Sequence, residues 1–249
     1  MLLYFLTKNT WNLLDVESSQ PHENLLTEKL IFNLFETSSF SPIIRFWRNS
    51  KSVILGRFQH PKLELNIDEC FNNDVVILKR FTGGGAVYHD LGNLNWSFFL
   101  PKNVVSNISE AYRLCSLCII NGLNLLGVSA KYSPSNAIQI SDSKISGLAG
   151  IIGERSILCH GTLLVTSDLN LLVKVLTPTN NSVNSSYLSS RKFVRSKISP
   201  VTNISDELDY ALSMDVLKKC LIQGIENTFN IQLLHVPFSQ MIQHSLPTS

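Results

Sequence analysis

No stretch of the 249 residues is apolar for long enough to cross a bilayer as a helix, which takes roughly 20 apolar residues in a row. The apolar start, Met1 to Leu6, stops at Thr7-Lys8-Asn9. It lacks the charged n-region and small-residue cleavage site of a secretory signal, so it reads as a first β-strand and the chain as cytoplasmic. An excess of one charge is also missing. With 21 Lys and Arg against 19 Asp and Glu, the formal charge is +2, too small to predict attraction to nucleic acid or to a membrane. Cysteine is sparse and odd in number: Cys70, Cys115, Cys118, Cys159 and Cys220 do not form a secreted disulfide framework. Cys115 and Cys118 have C-x-x-C spacing, but no second pair or nearby His completes a zinc site, and inside a helical pattern they read as buried thiols. Without a secretion signal, the Asn-x-Ser sequons at Asn107, Asn180, Asn184 and Asn203 carry no weight. The remaining composition, 44% hydrophobic and 16% charged, is that of a globular chain able to bury a sizeable core.

No internal repeat is present. Apolar periodicity predicts a helix over His22 to Glu36, a long one over Ser109 to Leu126, a short one over Asp168 to Leu176 and an amphipathic one over Met214 to Thr228. Asn107 followed by Glu110 resembles a capping box, and Gly127 is placed to stop the long helix. Short runs rich in branched and aromatic residues predict strands at Ile43 to Arg48, Ser52 to Gly56, Ala137 to Ile140, Lys144 to Leu148 and Ile157 to Val165. Val75 to Leu78 reads as a buried strand delivering Lys79 and Arg80 to a site. Ala86 to Tyr88 and Asn95 to Leu100 read as antiparallel neighbours around the turn Asp90 to Asn93. Thr177 to Asn203 is a long Ser- and Asn-rich connection carrying Arg191, Lys192, Arg195 and Lys197. It is either a functional loop or a disordered one. Paired strands with interspersed helices, and no regular strand–helix alternation, predict an α+β fold in one domain.

The densest chemistry lies at Arg80-Phe81-Thr82-Gly83-Gly84-Gly85. Three glycines in a row let the backbone approach a ligand closely, and their N–H groups can meet phosphate or carboxylate oxygens beside the charge of Lys79 and Arg80. The stretch is not a Walker A loop, since no Lys-Ser/Thr follows, and it is not G-x-G-x-x-G. Taken alone, three glycines are equally compatible with a plain tight turn.

The flanks narrow this. Lys79 to Asp90, with Gly92-Asn93 behind it, closely resembles the lipoate–protein ligase signature R-R-x-x-G-G-G-A-V-x-H-D-x-G-N. Lys144-Ile145-Ser146-Gly147-Leu148-Ala149, then His160-Gly161-Thr162-Leu163-Leu164, is similar to the family's K-I-x-G-x-A followed by H-G-T-L-L. Phe46-Trp47-Arg48-Asn49 through Val53 to Gly56 resembles its tryptophan-containing strand pair, and Asn24-Leu25 with Glu28 is a weaker match. The motifs stand in the family's order between about residues 22 and 230. The sequence departs from the pattern at Lys79, which stands for the first Arg of the signature, at Lys29, where a second acid is usual, and at Asn136-Ala137, where Asn-Asp is usual.

The resemblance implies a biotin/lipoate ligase-like fold, related to the core of class II aminoacyl-tRNA synthetases, with mixed, mostly antiparallel sheets and flanking helices. It implies activation of lipoate, or octanoate, by Mg-ATP to lipoyl-AMP. The acyl group then passes to a lysine on a carrier domain of a 2-oxoacid dehydrogenase complex or the glycine cleavage H protein. Lys144 would be the catalytic cation. Arg80, Gly83, Gly84 and Gly85 would hold the activated end, while Val87, Tyr88 and Asn93 would face adenine. Leu25, Trp47, His89 and His160 would line the acyl tunnel, with a structural hydrogen-bonded role as the alternative for each His. No metal ligand is assigned. Many bacterial ligases carry a further C-terminal domain of roughly 80–100 residues, a common size for a small domain. Residues 1–249 are therefore expected to be a single catalytic domain without it, served by a separate small subunit or by none. Two other functions stay open. One is transfer of an acyl group from preformed acyl-AMP or an acyl carrier, although Ser133 to Ala137 holds no cysteine nucleophile. The other is non-catalytic binding of lipoate or a carrier. A nucleic-acid module would need a helix-turn-helix domain for which there is no room. The segment Ser182 to Ser199 is either a lid over the adenylate or a solvated loop.

Overall fold

The computed structural model describes residues 9–15, 18–38, 41–179 and 193–238; the strand expected at Met1 to Leu6 lies outside them. Eight strands form one sheet. They are β1 (Asn9–Asp15), β2 (Ile43–Trp47), β6 (Asn93–Pro101), β7 (Lys131–Ser133), β8 (Ala137–Ile140), β9 (Ser143–Ile152), β10 (Ser156–Leu164) and β11 (Ile231–His235). Their order is β11-β1-β2-β6-β10-β9-β8-β7. A second sheet, ordered β4-β3-β5, holds β3 (Ser52–Leu55), β4 (Val76–Lys79) and β5 (Val87–His89). Only β1 with β2 and β11, and β3 with β4, run parallel; every other pair is antiparallel. The α+β expectation therefore holds.

The period of two along a strand sorts the large sheet into two faces. Ile44 and Phe46 of β2, Leu94, Trp96, Phe98 and Leu100 of β6, and Ile157, Cys159 and Leu163 of β10 pack on one side. The helices α4 (Ile108–Asn124) and α6 (Met214–Phe229) cover that side. On the other side, Ile43, Phe99 and Leu158 meet Ile31, Phe32 and Phe35 of α1 (Pro21–Thr37). Both faces are covered, so the central strands are buried almost end to end. Cys115, Cys118 and Cys159 lie in the α4 core as buried thiols.

Asn107 caps α4 by accepting the Glu110 N–H, but the Glu110 carboxylate turns back to Ser106 N and Oγ, so only half of the expected capping box forms. Gly127, at φ +79, ends the helix with Val128 N–H returning to Leu123 O.

Two sequence expectations fail here. β5 and β6 are not neighbours: β5 pairs with β3, while β6 lies between β2 and β10 of the other sheet. The turn at Asp90 to Asn93 is a crossing between sheets. The Asp90 carboxylate holds it by accepting Gly92 N–H and Asp168 N–H. β4 is an edge strand, not a buried one, and Val76 is 47% exposed. The helices α2 (Pro61–Glu64) and α3 (Ile67–Asn72), and the strands β7 and β11, were not expected. The short helix α5 (Leu169–Val175) was, and Asp168 caps it.

Candidate active site

The face of the large sheet that meets α1 also carries its polar residues. Arg45 and Trp47 of β2, Asn93, Asn95 and Ser97 of β6, and His160 and Thr162 of β10 alternate with the apolar residues that face α4. Opposite them the small sheet presents the glycine loop. A cavity of about 350 Å³ lies between, walled by Leu25, Trp47, His89, Arg80, Lys144 and His160 among others.

Arg80 builds the loop. It is buried, and its guanidinium donates through Nε to Thr82 Oγ1 (3.1 Å), through Nη1 to Ile54 O (3.0 Å), and through Nη2 to Gly83 O (2.7 Å) and Gly85 O (2.8 Å). Burial lowers its pKa to about 10. With five N–H donors, only one hydrogen of Nη1 is left uncommitted, so Arg80 clamps the loop more than it reaches for a ligand. The clamp has a geometric consequence. In a trans peptide the N–H points opposite to the C=O; turning Gly83 O and Gly85 O onto the guanidinium therefore turns Gly84 N–H and Ala86 N–H away from it. Gly84 adopts φ +89, and a Cβ there would meet Arg80 Nη2 at 2.9 Å. A Cβ on Gly56 would sit 2.0 Å from Gly84 O, so the turn after β3 must also be glycine.

A buried relay joins this loop to α1. Glu28, fully buried, accepts Ser97 Oγ–H (2.6 Å) and is 2.9 Å from His160 Nδ1; His160 Nε2 is 2.9 Å from Thr82 Oγ1. Trp47 Nε1–H donates to Ser97 Oγ at 3.1 Å. Burial alone would raise the Glu28 carboxyl, but His160, Ser97 and Arg45 outweigh it and hold the group below its ordinary value. An ionised Glu28 only accepts, so His160 donates to it from Nδ1.

His89 is fixed by a second chain. Arg45 Nη2 donates to Asn24 Oδ1 (2.5 Å), Asn24 Nδ2 to Asn49 Oδ1 (3.0 Å), and Asn49 Nδ2 to His89 Nδ1 (3.0 Å). His89 therefore keeps its proton on Nε2. Burial and the charges of Arg80 and His160 push its pKa down to about 3. The folded pKa lies below the ordinary value, so the unfolded chain binds the proton more readily between the two. This contribution to stability is complete above about pH 6.5 and is lost as pH falls. Between pH 6.5 and 5, urea unfolding should show a loss of roughly 2 kcal/mol from this group, at about 1.4 kcal/mol per unit. His89→Phe should flatten that slope, and an unchanged slope would refute the assignment.

Lys144 lies in β9, half-buried, and its ammonium has no hydrogen-bond or ion-pair partner among the described residues. Burial and the nearby Arg80 charge lower its pKa. Its side chain lies over Gly147, where a Cβ would meet Nζ at 2.8 Å; this explains the spacing K-x-x-G.

The structure brings Leu25, Trp47, Arg80, Gly84, Gly85, Val87, His89, Lys144 and His160 to one cavity. Gly83 is in the loop but not on the wall. Tyr88 lines an adjoining cavity of about 140 Å³ that shares Val87 and Lys144 with the first and is otherwise largely apolar, with Ile145, Leu172 and Leu176. Asn93 lies on neither wall: it is buried, donating to Asn95 Oδ1 at 2.9 Å, and Asn95 lines the cavity in its place. Sequence reading assigned no role to Arg45, Thr82, Asn95 or Ser97; Thr82 stands inside the glycine motif and Asn95 just behind it, while nothing in the local pattern marks Arg45 or Ser97. Glu28 Oε2, His89 Nε2 and Asn95 Nδ2 have no partner among the described residues, leaving the wall with unused polar capacity.

No cluster of three His, Cys, Asp or Glu side chains suited to a metal exists among the described residues. Glu28 on the cavity wall is already engaged by Ser97 and His160. These residues do not fit an all-protein magnesium site. Magnesium commonly binds through substrate phosphates and water, with few protein ligands.

Residues 20–226 match the family model described as the lipoyl protein ligase A/B catalytic domain. The chain is 31% identical over 218 residues to lipoate-protein ligase A subunit 1 of Thermoplasma acidophilum, covering 84% of this chain and 79% of that protein. It spans only 63% of the length of a Mycoplasma pneumoniae relative at 30% identity. Among solved structures, Ta0514 of T. acidophilum with bound lipoic acid superposes with a TM-score of 0.78 at 29% identity, covering 95% of this chain and 92% of that one. A lipoate-protein ligase A bound with ATP gives 0.76 at 29% identity, covering 94% and 92%. The chain belongs to the lipoyl protein ligase A/B catalytic-domain family.

Proposed function

We propose that this chain activates lipoate, or octanoate, with ATP and transfers the acyl group to a lysine of a lipoyl carrier domain. The observation that carries this reading is the convergence on one cavity of the Lys144 ammonium, which has no partner among the described residues, the Arg80-clamped glycine loop and the apolar side chains of Leu25 and Trp47. The acyl chain would lie against Leu25 and Trp47, with His89 and His160 as polar anchors. The nucleoside would occupy the adjoining cavity beside Val87 and Tyr88. Attack of the carboxylate on the α-phosphorus forms the acyl-adenylate and expels pyrophosphate. The neutral carrier amine then attacks the acyl carbon, forming the amide and releasing AMP. Both steps gather negative charge on oxygens beside Lys144, whose ammonium stabilises it without forming a bond. Magnesium would come with the nucleotide, held by phosphate oxygens and water.

The same proposal treats residues 1–249 as one catalytic unit and places it in the cytoplasm. Its partners are a carrier domain of a 2-oxoacid dehydrogenase complex or the glycine cleavage H protein; a separate small subunit is the alternative source of adenylation, and kinship to a protein named subunit 1 is what favours it. Among the described residues no helix is long and apolar enough to cross a membrane. The test incubates the purified chain with apo carrier domain and lipoate, adding ATP or presynthesised lipoyl-AMP, and weighs the carrier. A mass increase with ATP is expected. Modification with lipoyl-AMP alone would assign adenylation to another subunit, and none in either case would overturn the reading.

A further inference from the structure

Outside the cavity wall, two buried polar side chains meet a segment that lines the cavity. Gln59 and Glu64, 3% and 4% exposed, precede and close α2. Gln59 Oε1 accepts Gly56 N–H (3.0 Å), while its Nε2 donates to Glu64 Oε2 (2.9 Å) and to Ser196 Oγ (3.0 Å). Glu64 Oε2 also accepts Ser196 N–H at 2.9 Å. Ser196 Oγ in turn accepts Ala86 N–H (2.9 Å), one of the amides that the Arg80 clamp turns outward. A Cβ on Gly85 would meet Ser196 Oγ at 3.1 Å, so the third glycine leaves room for this contact. Four residues further on, the same segment is fastened again: Lys144 N–H donates to Pro200 O (2.8 Å) and Thr202 N–H to Lys144 O (3.2 Å). Val194, Arg195, Ser196 and Lys197 thus form part of the cavity wall, tied to the glycine loop at one end and to the Lys144 strand at the other.

The Glu64 carboxylate has no cation within ion-pair reach among the described residues, and its Oε1 has no partner. Burying a carboxylate this way is costly. What the charge provides is a strong acceptor for the Ser196 amide. We propose that Gln59 and Glu64 are positioning residues that seat segment 193–202 through Ser196, so that the acyl-adenylate is held in the cavity until the carrier lysine arrives. Neither touches the cavity; both act through Ser196. The inference rests on the acyl-adenylate reading of the site, which the experiment separates from it.

The readout is the rate at which presynthesised lipoyl-AMP leaves the purified chain, together with free lipoyl-AMP released during turnover with ATP and lipoate but no carrier. Glu64→Ala and Gln59→Leu should release it about 10-fold faster, the scale of one or two lost hydrogen bonds. Glu64→Gln, which keeps an acceptor, should stay within about threefold of wild type. Ser196→Ala, which removes only one half-buried hydroxyl and keeps the backbone N–H held by Glu64, repeats the test if a buried variant fails to fold. Release from folded Glu64→Ala, Gln59→Leu and Ser196→Ala at the wild-type rate would overturn the seat. Failure of the wild type to bind lipoyl-AMP at all would overturn the reading of the site and this proposal with it.

Discussion

Replacing Lys144 by alanine is expected to lower acyl-adenylate formation and carrier modification by about 10²–10³-fold, the usual effect of removing one preorganised stabilising group. The fold should not suffer. Lys144 joins segment 193–202 through its backbone N–H and C=O, which alanine keeps, and its ammonium holds no described partner that would be orphaned. Half-buried beside Arg80, with its pKa lowered by burial and by that charge, the ammonium is a cost to the empty protein. The thermal midpoint of Lys144→Ala should therefore equal or exceed that of the wild type while activity falls. Loss of activity together with a large drop in midpoint would point to a structural lysine, and a fully active Lys144→Ala enzyme would remove it from the chemistry.

The elements that sequence reading placed well are those whose signal is local. α1, α4 and α6 each span four turns or more of apolar periodicity, and β9 and β10 are long branched runs. The errors are non-local. Spacing and turn residues between β5 and β6 look like a hairpin, yet β5 finds its partner in β3, more than thirty positions back, and the turn carries the chain into another sheet. The apolar run of β4 looks buried, but the order β4-β3-β5 leaves it at an edge. β11 escaped notice because its five residues alternate weakly and its only pairing among the described residues is parallel to β1, near the opposite end of the chain.

The site divides the same way. Gly83 to Gly85 and Lys144 sit in contiguous motifs and are legible without a structure. Glu28 and His160 are 132 positions apart, as are Glu64 and Ser196. Ser97 and Gln59 are ordinary polar residues that gain meaning only when the sheets bring their partners into reach. Arg80 was legible as a cation near a ligand, but its main work, drawing two glycine carbonyls inward, is invisible until the loop is folded.

That work supplies the second large effect. Arg80→Lys preserves the charge, but one ammonium cannot span acceptors spread over Ile54 O, Thr82 Oγ1, Gly83 O and Gly85 O. At least two buried acceptors should lose their donor, at about 1–3 kcal/mol each. For a chain of this size, that corresponds to a fall in thermal midpoint of roughly 5–20 °C, at about 2–4 °C per kcal/mol. The kinetic loss should exceed what instability explains. Once Gly83 O and Gly85 O are released, their peptide planes can rotate, and Gly84 N–H and Ala86 N–H lose the orientation that the clamp imposes. Adenylate formation, measured at a temperature where the variant is folded, should fall about 10²-fold or more. Because Ala86 N–H also holds Ser196, lipoyl-AMP should leave faster as well. A folded Arg80→Lys protein with wild-type midpoint and rate would mean that the glycine loop stands without its clamp, and the orientation assigned to its amides would have to be abandoned.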